Sequence, residues 1–595
     1  MRLHGNEAWG PPPQYSERTP LISSNDPPEP PPYSGEPSYY DEQNPRAEAR
    51  RQKDGSTGQG KARNMTVVLI VLFCTAFIVP VIWFMSKGSY IRSPREPPPP
   101  TVIRVAVVGA GPAGISTAFA LSRVQFSSKK GKPDVQVDIT IFEQKDRVGG
   151  RMILNPSLSA TDVLSKEIHA EDVAAGCLSS NRILGRRAQA EFGVQFGTDT
   201  TSKMVESGNI AVGFFNGKDI VADIPRPREE ITWGNWVKLI WRYGSSVWRA
   251  AKLPTGTMEG FNGMLDLAEK SDKSKPYVNP WEILVTGRMT GAASLSANER
   301  LAKNGIEGKY VEEVVRAQIR KQNGLDLEEL SDLGLSMALE REGGEFCPNT
   351  EGGRLMHMLE TFAVESRAAL KLSTHVTAFK RELVEEEKEM WIVEYTQADM
   401  DELHYEAFHK VVLATPWNSS SLLFAPITET REQIFYKPVW ITIIATEGEL
   451  GSEHFGRSET LPSQILPIAS SPDLPAAFHG IHEITHLRKL YRLDPEGHIQ
   501  NTNLYRILSD QQPSNGTLEM LWGSGIEAIY SEEIEKAYPI TYPKSSGDEL
   551  GIFESGDGLW HTSVIEGVGS TVDLAWIVGG NVGRLVGENI KRERD

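Results

Sequence analysis

A glycine turn between an apolar strand and an apolar helix constrains this chain more than any other feature. The apolar run Val102–Val108 leads into Gly109-Ala110-Gly111-Pro112-Ala113-Gly114, and an apolar-periodic segment follows from Ile115 to Val124. A second β-type run, Val135–Phe142, ends at Glu143. Strand, tight turn, helix, strand and acid in this order predict a dinucleotide-binding unit.

The residues of this turn each have a physical role in the prediction. Gly109 permits the tight turn, Gly111 lets the backbone approach a pyrophosphate, and Gly114 lets the helix pack closely on the strand. The helix N-terminus offers unpaired N–H groups and a positive dipole end to the phosphates. Glu143 is placed to accept hydrogen bonds from an adenosine ribose. The expected cofactor contacts in the turn are therefore Gly109, Gly111, Pro112, Ala113 and Gly114.

A second pair of glycines follows the acid. Together with Glu143, the run Arg147-Val148-Gly149-Gly150-Arg151 resembles the acid-then-double-glycine-arginine signature of flavin oxidases related to amine oxidases and glutathione reductase. This resemblance favours FAD over NAD as the cofactor. It adds four expected cofactor contacts, Arg147, Gly149, Gly150 and Arg151.

The same resemblance implies cofactor contacts further along the chain. Gly176, within Ala170–Cys177, is expected to run beside the flavin pyrophosphate, and the strand that carries Val376 is expected to touch the adenine. Ser570 and Thr571 precede an apolar helix, Val572–Ile590. The N–H groups at that helix N-terminus are expected to face the flavin.

The composition bears on the class of partner. Lys and Arg number 62 against 79 Asp and Glu, so the 595-residue chain has a net charge of −17. Such an acidic chain lacks the broad positive surface that nucleic acid requires. Its length allows more than one core. Of the three cysteines, Cys74 lies in an apolar span, so at most one disulfide can form, between Cys177 and Cys347.

Residues 1–64 are predicted to form a disordered cytosolic tail. They are rich in Pro, Ser, Glu and Arg, and cannot bury enough apolar surface to offset the entropy of ordering. Pro12-Pro13-Gln14-Tyr15 and Pro30-Pro31-Pro32-Tyr33 fit the pattern that WW domains, including those of ubiquitin ligases, bind. Glu17–Ile22 resembles a signal for sorting adaptors. The alternative is an inert proline-rich spacer.

Met65–Ser86 is an uncharged apolar run that is long enough to span a bilayer. Basic residues are denser before this run than after it, which places the tail in the cytosol and the rest in the lumen. Sequons at Asn418 and Asn515 agree with glycosylation in a lumen. We therefore expect a single-pass membrane protein of a vacuole, lysosome or other endomembrane, with residues 87–100 as a proline-rich linker.

The expected fold is α/β, with a Rossmann-like FAD-binding domain that is discontinuous in sequence. Its segments are placed at about 101–199, 345–419 and 551–595, and an inserted α+β substrate domain at about 200–344 and 420–550. Within the inserted domain, the aromatic segment Trp233–Ala251 is predicted to be helical. Three interpretations of this segment stay open: it lines an apolar tunnel, lies on a membrane surface, or belongs to the core.

Together these motifs resemble the prenylcysteine oxidase (prenylcysteine lyase) family, from Val102 to the C-terminus. The strongest segments are Val105–Gly114, Glu143–Arg151, Tyr310–Arg316, Glu351–Gly353 and Gly558–Val582. The chain departs from the family at Lys321-Gln322-Asn323-Gly324, where an Asn-Tyr-Gly run is usual, and at Ala175, where glycine is usual. These departures concern the substrate more than the cofactor.

The resemblance implies a thioether oxidase. FAD accepts a hydride from the isoprenoid carbon beside the sulfur of prenylcysteine, water adds, and collapse yields cysteine and an isoprenoid aldehyde. Molecular oxygen reoxidises the flavin and becomes hydrogen peroxide. The cofactor carries the difficult chemistry, and no strong base is demanded. His561 and Glu566 are candidate acid–base residues near the expected flavin, and a structural role is the alternative for both.

Other function classes compete with this interpretation. His482-Glu483-Ile484-Thr485-His486 matches the zinc-protease pattern, but Lys489 and Arg492 stand where the metzincin extension has glycine and histidine. We therefore predict no metal site. Another amine-oxidase-like FAD oxidase and a non-catalytic membrane adaptor for WW-domain ubiquitin ligases are the remaining alternatives. A substrate screen with polyamines tests the first alternative, and peroxide release tests the second.

Overall fold

The structure is a computed structural model. It describes residues 100–126, 134–152, 190, 211–225, 233–270, 275–343, 354–384, 388–398, 400–416, 423–424, 434–457, 461–493, 499–523, 525–556 and 558–594. Several predicted features lie outside the described residues: the tail, the apolar run 65–86, the linker up to residue 99, Gly176, Asn418 and all three cysteines.

The predicted single-pass localisation is contradicted. Within the described ranges, no helix is both long enough and apolar enough to cross a membrane. The two longest helices, Ser246–Lys270 and Val572–Arg594, carry charged residues along their length. The predicted span itself, Met65–Ser86, is not among the residues that the structure describes.

The described strands and helices are numbered in chain order. The strands are β1 Thr101–Val108, β2 Val135–Phe142, β3 Ala211–Phe215, β4 Ile220–Pro225, β5 Ala369–Lys371, β6 Thr374–Val384, β7 Lys388–Gln397, β8 Met400–Phe408, β9 Lys410–Leu413, β10 Leu423–Phe424, β11 Tyr436–Thr446, β12 Gln464–Pro467, β13 Ile481–Leu493, β14 Ile499–Ser509, β15 Ile526–Pro539, β16 Glu554–Gly556 and β17 Leu559–His561. The α-helices are α1 Pro112–Ser122, α2 Trp233–Tyr243, α3 Ser246–Lys270, α4 Pro280–Thr286, α5 Thr290–Ser294, α6 Ala297–Lys303, α7 Arg316–Asn323, α8 Asp332–Gly343, α9 Arg354–Glu365, α10 Asn515–Trp522 and α11 Val572–Arg594.

A six-stranded sheet with the order β16-β17-β9-β1-β2-β5 carries the glycine turn. All its pairings are parallel except that of β16 with β17. The apolar run in β1 is fully buried from Val105 to Val107, as expected for a strand covered on both faces. The carboxyl ends of parallel strands meet at one edge of a sheet, so the turns after β1, β2, β9 and β17 converge there.

Helix α11 covers α1 through a row of glycines spaced four residues apart, Gly579, Gly583 and Gly587. A Cβ at Gly579 would lie 2.1 Å from the Ala113 carbonyl oxygen, and one at Gly583 would lie 2.5 Å from that of Thr117. The Thr117 hydroxyl donates to the Gly579 carbonyl at 3.0 Å. The small residues thus allow the two helix backbones to come into direct contact, which the sequence analysis did not predict.

A second sheet has the order β10-β6-β7-β8, with β6, β7 and β8 antiparallel. Before this sheet begins, α9 ends at Glu365, and a short strand, β5, pairs with β2 of the first sheet before the chain turns at Ser373. Ser373 has a φ of 50°, a left-handed conformation that interrupts a strand.

A third sheet has seven strands in the order β15-β11-β14-β13-β12-β3-β4. The zinc-protease motif lies on β13, so its residues alternate between the two faces of a strand instead of sharing one helical turn. His482 is bonded to Asp510 at 2.7 Å, and His486 to Asn503 at 3.2 Å. Among the described residues, no three His, Cys, Asp or Glu side chains are grouped as a metal site.

Candidate functional site

The first glycine turn has one open face. Gly109 has a φ of 105°, and a Cβ at Gly114 would lie 1.9 Å from the Gly109 carbonyl oxygen, so both positions need glycine for the protein's own packing. Among the atoms of the described residues, a Cβ at Gly111 would meet only the Cα of Gly150, at 3.9 Å. Space is therefore left beside Gly111, at the N-terminus of α1, where Pro112 is the first helical residue.

The second glycine pair lies against the first turn. The Gly149 N–H donates to the Ala110 carbonyl at 3.0 Å, and a Cβ at Gly150 would lie 3.3 Å from the Cα of Gly111. Arg147 is close to Asp146, with 3.1 Å between nitrogen and oxygen. The two loops together form a cradle of closely spaced backbone at the carboxyl edge of the six-stranded sheet.

Glu143 supports this cradle. Its side chain is buried, with 7% of its surface exposed. One carboxylate oxygen accepts from the Ala110 N–H at 2.8 Å, and the other accepts from the Lys145 N–H at 3.0 Å. A carboxylate has about four lone-pair positions, so both oxygens keep capacity for a further donor.

Val376, the expected adenine neighbour, is buried in β6. The pairing of β6 with β7 shifts register between Val376 and Ala378. Such a bulge leaves backbone groups outside the strand ladder. These groups are the ones that a backbone contact with a base would use.

The closing segment runs from β17 into α11. His561 ends β17 next to Leu413 of β9 and is fully buried. The Thr571 hydroxyl accepts from the Leu574 N–H at 3.1 Å, which makes Thr571 the N-cap of α11. This bond satisfies one of the backbone N–H groups that have no partner within the helix. The positive end of the helix dipole lies at this N-terminus, next to Ser570.

Arg151 and Glu566 form an ion pair. A second nitrogen of Arg151 donates to the Lys536 carbonyl at 3.0 Å, and the guanidinium lies 5.9 Å from the centre of the Tyr436 ring. Burial alone would lower the pKa of Arg151, but the charge of Glu566 and the hydrogen bond to it, together with Tyr436 and Tyr538, outweigh burial, and the pKa is raised. Glu566, proposed from sequence as an acid or base, therefore already has an arginine partner.

Two buried polar atoms beside these loops have no hydrogen-bond partner within the described residues. They are Thr415 Oγ1, in a side chain that lies against Gly109, and Lys536 Nζ, in a residue whose carbonyl accepts from Arg151. Buried polar atoms are normally satisfied by protein or by water. Burial, and then the charge of Glu566, raise the pKa of the Tyr436 hydroxyl, while burial lowers the pKa of Lys536. The two unsatisfied groups beside the glycine loops fit a polar ligand such as FAD.

A pocket opens where α11 begins. The empty space within it, open solvent included, amounts to about 390 Å³, of which only a small part is enclosed by the protein. One part of its wall is apolar, with Leu325, Leu330, Met337, Ala338 and Pro539, and another part is polar, with Gln322, Asn323, Thr541 and Ser570. Gln322 and Asn323 belong to the segment in which this chain departs from the usual family pattern, so the departure alters the wall of the pocket.

Sequence comparisons identify the family. The prenylcysteine lyase family matches residues 227–595, and an NAD(P)-binding Rossmann-like domain matches residues 107–159. The chain belongs to the prenylcysteine lyase family. As the resemblance implied, this member of the family is an FAD-dependent oxidoreductase, and its Rossmann-like unit contains the glycine turn. A comparison with curated proteins found no match.

Solved structures of similar fold include two amine oxidases. Cyclohexylamine oxidase from Brevibacterium oxydans IH-35A is 11% identical, with a TM-score of 0.48, and covers 82% of this chain and 100% of its own. A putrescine oxidase, wild type and bound to putrescine, is 14% identical, with a TM-score of 0.45, and covers 82% of this chain and 99% of its own.

The predicted α/β fold with a Rossmann-like FAD-binding domain is confirmed. The two glycine loops and Glu143 lie together, as the sequence indicated. Tyr436 and Lys536 were missed, because neither belongs to a motif. The only signal available was their position at the ends of two strands, β11 and β15, that pair with each other.

Proposed function

We propose that this oxidoreductase cleaves the thioether of prenylcysteine, releasing cysteine and an isoprenoid aldehyde and forming hydrogen peroxide from oxygen. The observation that carries the proposal is the pocket at the start of α11, where an apolar wall adjoins polar groups. An isoprenoid chain needs the first kind of surface and an amino acid needs the second. The region that the family matches includes every residue of this wall.

In this proposal the cofactor is held mainly by backbone. Gly111 and the second glycine loop would hold the pyrophosphate, and Glu143 would accept hydrogen bonds from the ribose. The backbone at Val376 would contact the adenine. The complete set of proposed cofactor residues is Gly109, Gly111, Pro112, Ala113, Gly114, Glu143, Arg147, Gly149, Gly150, Arg151, Gly176, Val376, Ser570 and Thr571.

When bound there, FAD accepts the hydride from the carbon beside the sulfur and passes the electrons to molecular oxygen. The chain's own residues orient the substrate and control water. Leu325, Leu330 and Met337 hold the isoprenoid away from water, while Gln322 and Asn323 offer amide groups to the amino-acid end. The positive end of α11 favours negative charge next to Ser570. Water enters from the polar side, since the apolar wall excludes it.

The reaction is tested on the purified full-length chain with its flavin bound. Farnesylcysteine added without oxygen is expected to bleach the flavin absorbance, and in air it is expected to yield cysteine, aldehyde and peroxide in equal amounts. Putrescine and cyclohexylamine serve as comparison substrates. A flavin that is bleached by an amine but not by farnesylcysteine would refute the proposed substrate, and a flavin that neither compound bleaches would refute the proposed reaction.

A pocket variant tests the site. Ala338→Phe places a ring in the apolar wall and is expected to raise KM for farnesylcysteine about tenfold or more, while the flavin stays bound. The control is Ala302→Phe on the exposed side of α6, which is expected to leave KM unchanged. Equal KM values for the two variants would place the substrate elsewhere.

Two further predictions from the sequence remain proposals. Binding of WW domains to the two Pro-Pro-x-Tyr segments is tested by a pull-down with Tyr15→Ala and Tyr33→Ala variants, which should no longer bind a WW-domain ubiquitin ligase.

Asn515 is exposed at the first residue of α10. Its glycosylation, like that of Asn418, is tested by a mass shift after glycosidase treatment.

A further inference from the structure

Helix α2 exposes large apolar side chains on its outer side. Trp233 is 81% exposed and Trp241 is 89% exposed, and Val237 between them is 48% exposed. These three residues are four positions apart, so they lie on one face of the helix. Ile240 lies beside them and is 36% exposed. A contiguous apolar surface of this kind marks an interaction site.

The opposite side of α2 is the side that belongs to the core. Leu239 and Tyr243 are buried there. Trp236 is half-buried at the border of the outer side, one turn before Ile240, and it stacks on Trp248 of α3 with 4.9 Å between the ring centres. The stacking brings Trp248, which is 52% exposed, next to the outer side of α2. The interpretation of Trp233–Ala251 as a core helix is therefore wrong for the outer face, and such exposure does not suit a closed tunnel.

The charges around this face are of one sign. Residues 233–257 contain four basic residues and no acidic residue, in a chain whose net charge is −17. Arg242 is neutralised by Glu313, at 2.7 Å. The cations that remain on the flanks are Lys238, Arg249 and Lys252, and both lysines are exposed.

We propose that this aromatic face, Trp233, Val237, Ile240, Trp241 and Trp248, docks on the surface of an anionic lipid bilayer. Tryptophan rings settle at the boundary between headgroups and acyl chains, and flanking lysines contact the anionic headgroups. The contact is peripheral and needs no spanning helix. It does not depend on the substrate proposed above, because the surface and the pocket at α11 are formed by different residues.

The test places a local reporter on the face in the full-length chain. An environment-sensitive fluorophore is attached at Trp241→Cys, in a background where Cys74, Cys177 and Cys347 are replaced by serine. The matched control carries the same label at Leu383→Cys, since Leu383 is 71% exposed on β6. Vesicles contain phosphatidylcholine alone or phosphatidylcholine with phosphatidylserine.

With phosphatidylserine, the emission at position 241 is expected to shift to the blue, and that at position 383 is expected to stay unchanged. Because each lysine contributes about fivefold to binding of such a surface, Lys238→Gln with Lys252→Gln should weaken vesicle binding about 25-fold. Lys275→Gln, at an exposed lysine outside this face, is the charge control and should have no effect.

Three results would overturn the proposal: no shift at position 241, the same shift at position 383, or a shift that persists without phosphatidylserine and without the two lysines. Turnover of farnesylcysteine is measured in solution without vesicles. A failure of this proposal is therefore distinguishable from a failure of the proposed reaction.

Discussion

Arg151 and Glu566 are 415 positions apart in the chain and form an ion pair. The pair joins the second glycine loop to the turn before α11, so the two ends of the FAD-binding fold are tied together at the site. Both residues also touch the seven-stranded sheet, through the Lys536 carbonyl of β15 and the Tyr436 side chain of β11. The orientation of Arg151 thus depends on three distant segments of the chain.

Removing this pair is expected to loosen the flavin. In Glu566→Gln, Arg151 loses its anionic partner, which should lower the free energy of unfolding by about 2 kcal/mol. The flavin should also dissociate faster, which is measured by fluorescence of released flavin. Asp146→Asn is the control, because Asp146 is 62% exposed and an exposed pair contributes about 0.5 kcal/mol. Equal flavin release from both variants would contradict a positioning role for Glu566.

Two glycines of the first turn are expected to fail in different ways when replaced by alanine. Gly111→Ala places a methyl group in open space, so the apoprotein should fold normally while FAD affinity falls about 100-fold or more. Gly114→Ala forces a methyl group against the Gly109 carbonyl and should destabilise the apoprotein by about 3 kcal/mol. Urea unfolding and flavin titration separate the two outcomes. A Gly111→Ala variant that binds FAD normally would place the pyrophosphate elsewhere.

The contact between α1 and α11 predicts a third effect. Gly583→Ala would push a methyl group to 2.5 Å from the Thr117 carbonyl oxygen, which should cost about 2 kcal/mol of stability in thermal unfolding. Gly263→Ala is the control, since no atom of the described part of the chain lies within 4 Å of its added Cβ. In the control the better helix propensity of alanine should add about 0.5–1 kcal/mol. If Gly583→Ala raised the stability as Gly263→Ala is expected to do, the two helices would be able to move apart without a loss of free energy.

Stability is expected to fall in mild acid because of His486. Burial lowers the pKa of this imidazole, Lys489 acts in the same direction, and the bond to Asn503 opposes them. An unfolded imidazole takes up a proton near its ordinary pKa of about 6.5, whereas the folded ring does so only at lower pH. The unfolded state therefore holds more protons below about pH 6.5, and the free energy of unfolding drops there.

Urea unfolding at about pH 7.5 and about pH 5.5 measures this effect. The His486→Gln variant cannot titrate at this position and should lose less stability between the two pH values than the parent chain. The same loss in both proteins would assign the acid sensitivity to other groups.

The local motifs could be predicted because their physics is local. The strands around Gly109–Gly114 and the helix that begins at Val572 were expected from apolar periodicity, and the structure has them at these positions. The segment Trp233–Ala251 was expected to be one helix, but Gly244, with a φ of 60°, divides it. A left-handed residue ends a helix without disturbing the apolar pattern on either side, so periodicity alone did not mark the break.

Features that depend on distant segments could not be predicted in this way. His482 and His486 have helical spacing, yet they lie on β13, because pairing with β14 decides their conformation. Nothing near Glu566 in the sequence indicates its pairing with Arg151, and nothing near Gly583 indicates that α1 lies against it. The boundaries of the two domains and the roles of the individual cofactor residues stay predictions.

The order of strands in the nucleotide-binding sheet has a consequence for biosynthesis. β1 lies between β2 and β9, and the other edge of β9 pairs with β17, which ends at His561. β2 follows β1 closely in the sequence, whereas β9 and β17 leave the ribosome much later, so the sheet can be completed only after β17 has been synthesised. The nascent chain must keep the apolar pair β1 and β2 from aggregating throughout this interval, and flavin capture that needs the whole sheet follows it.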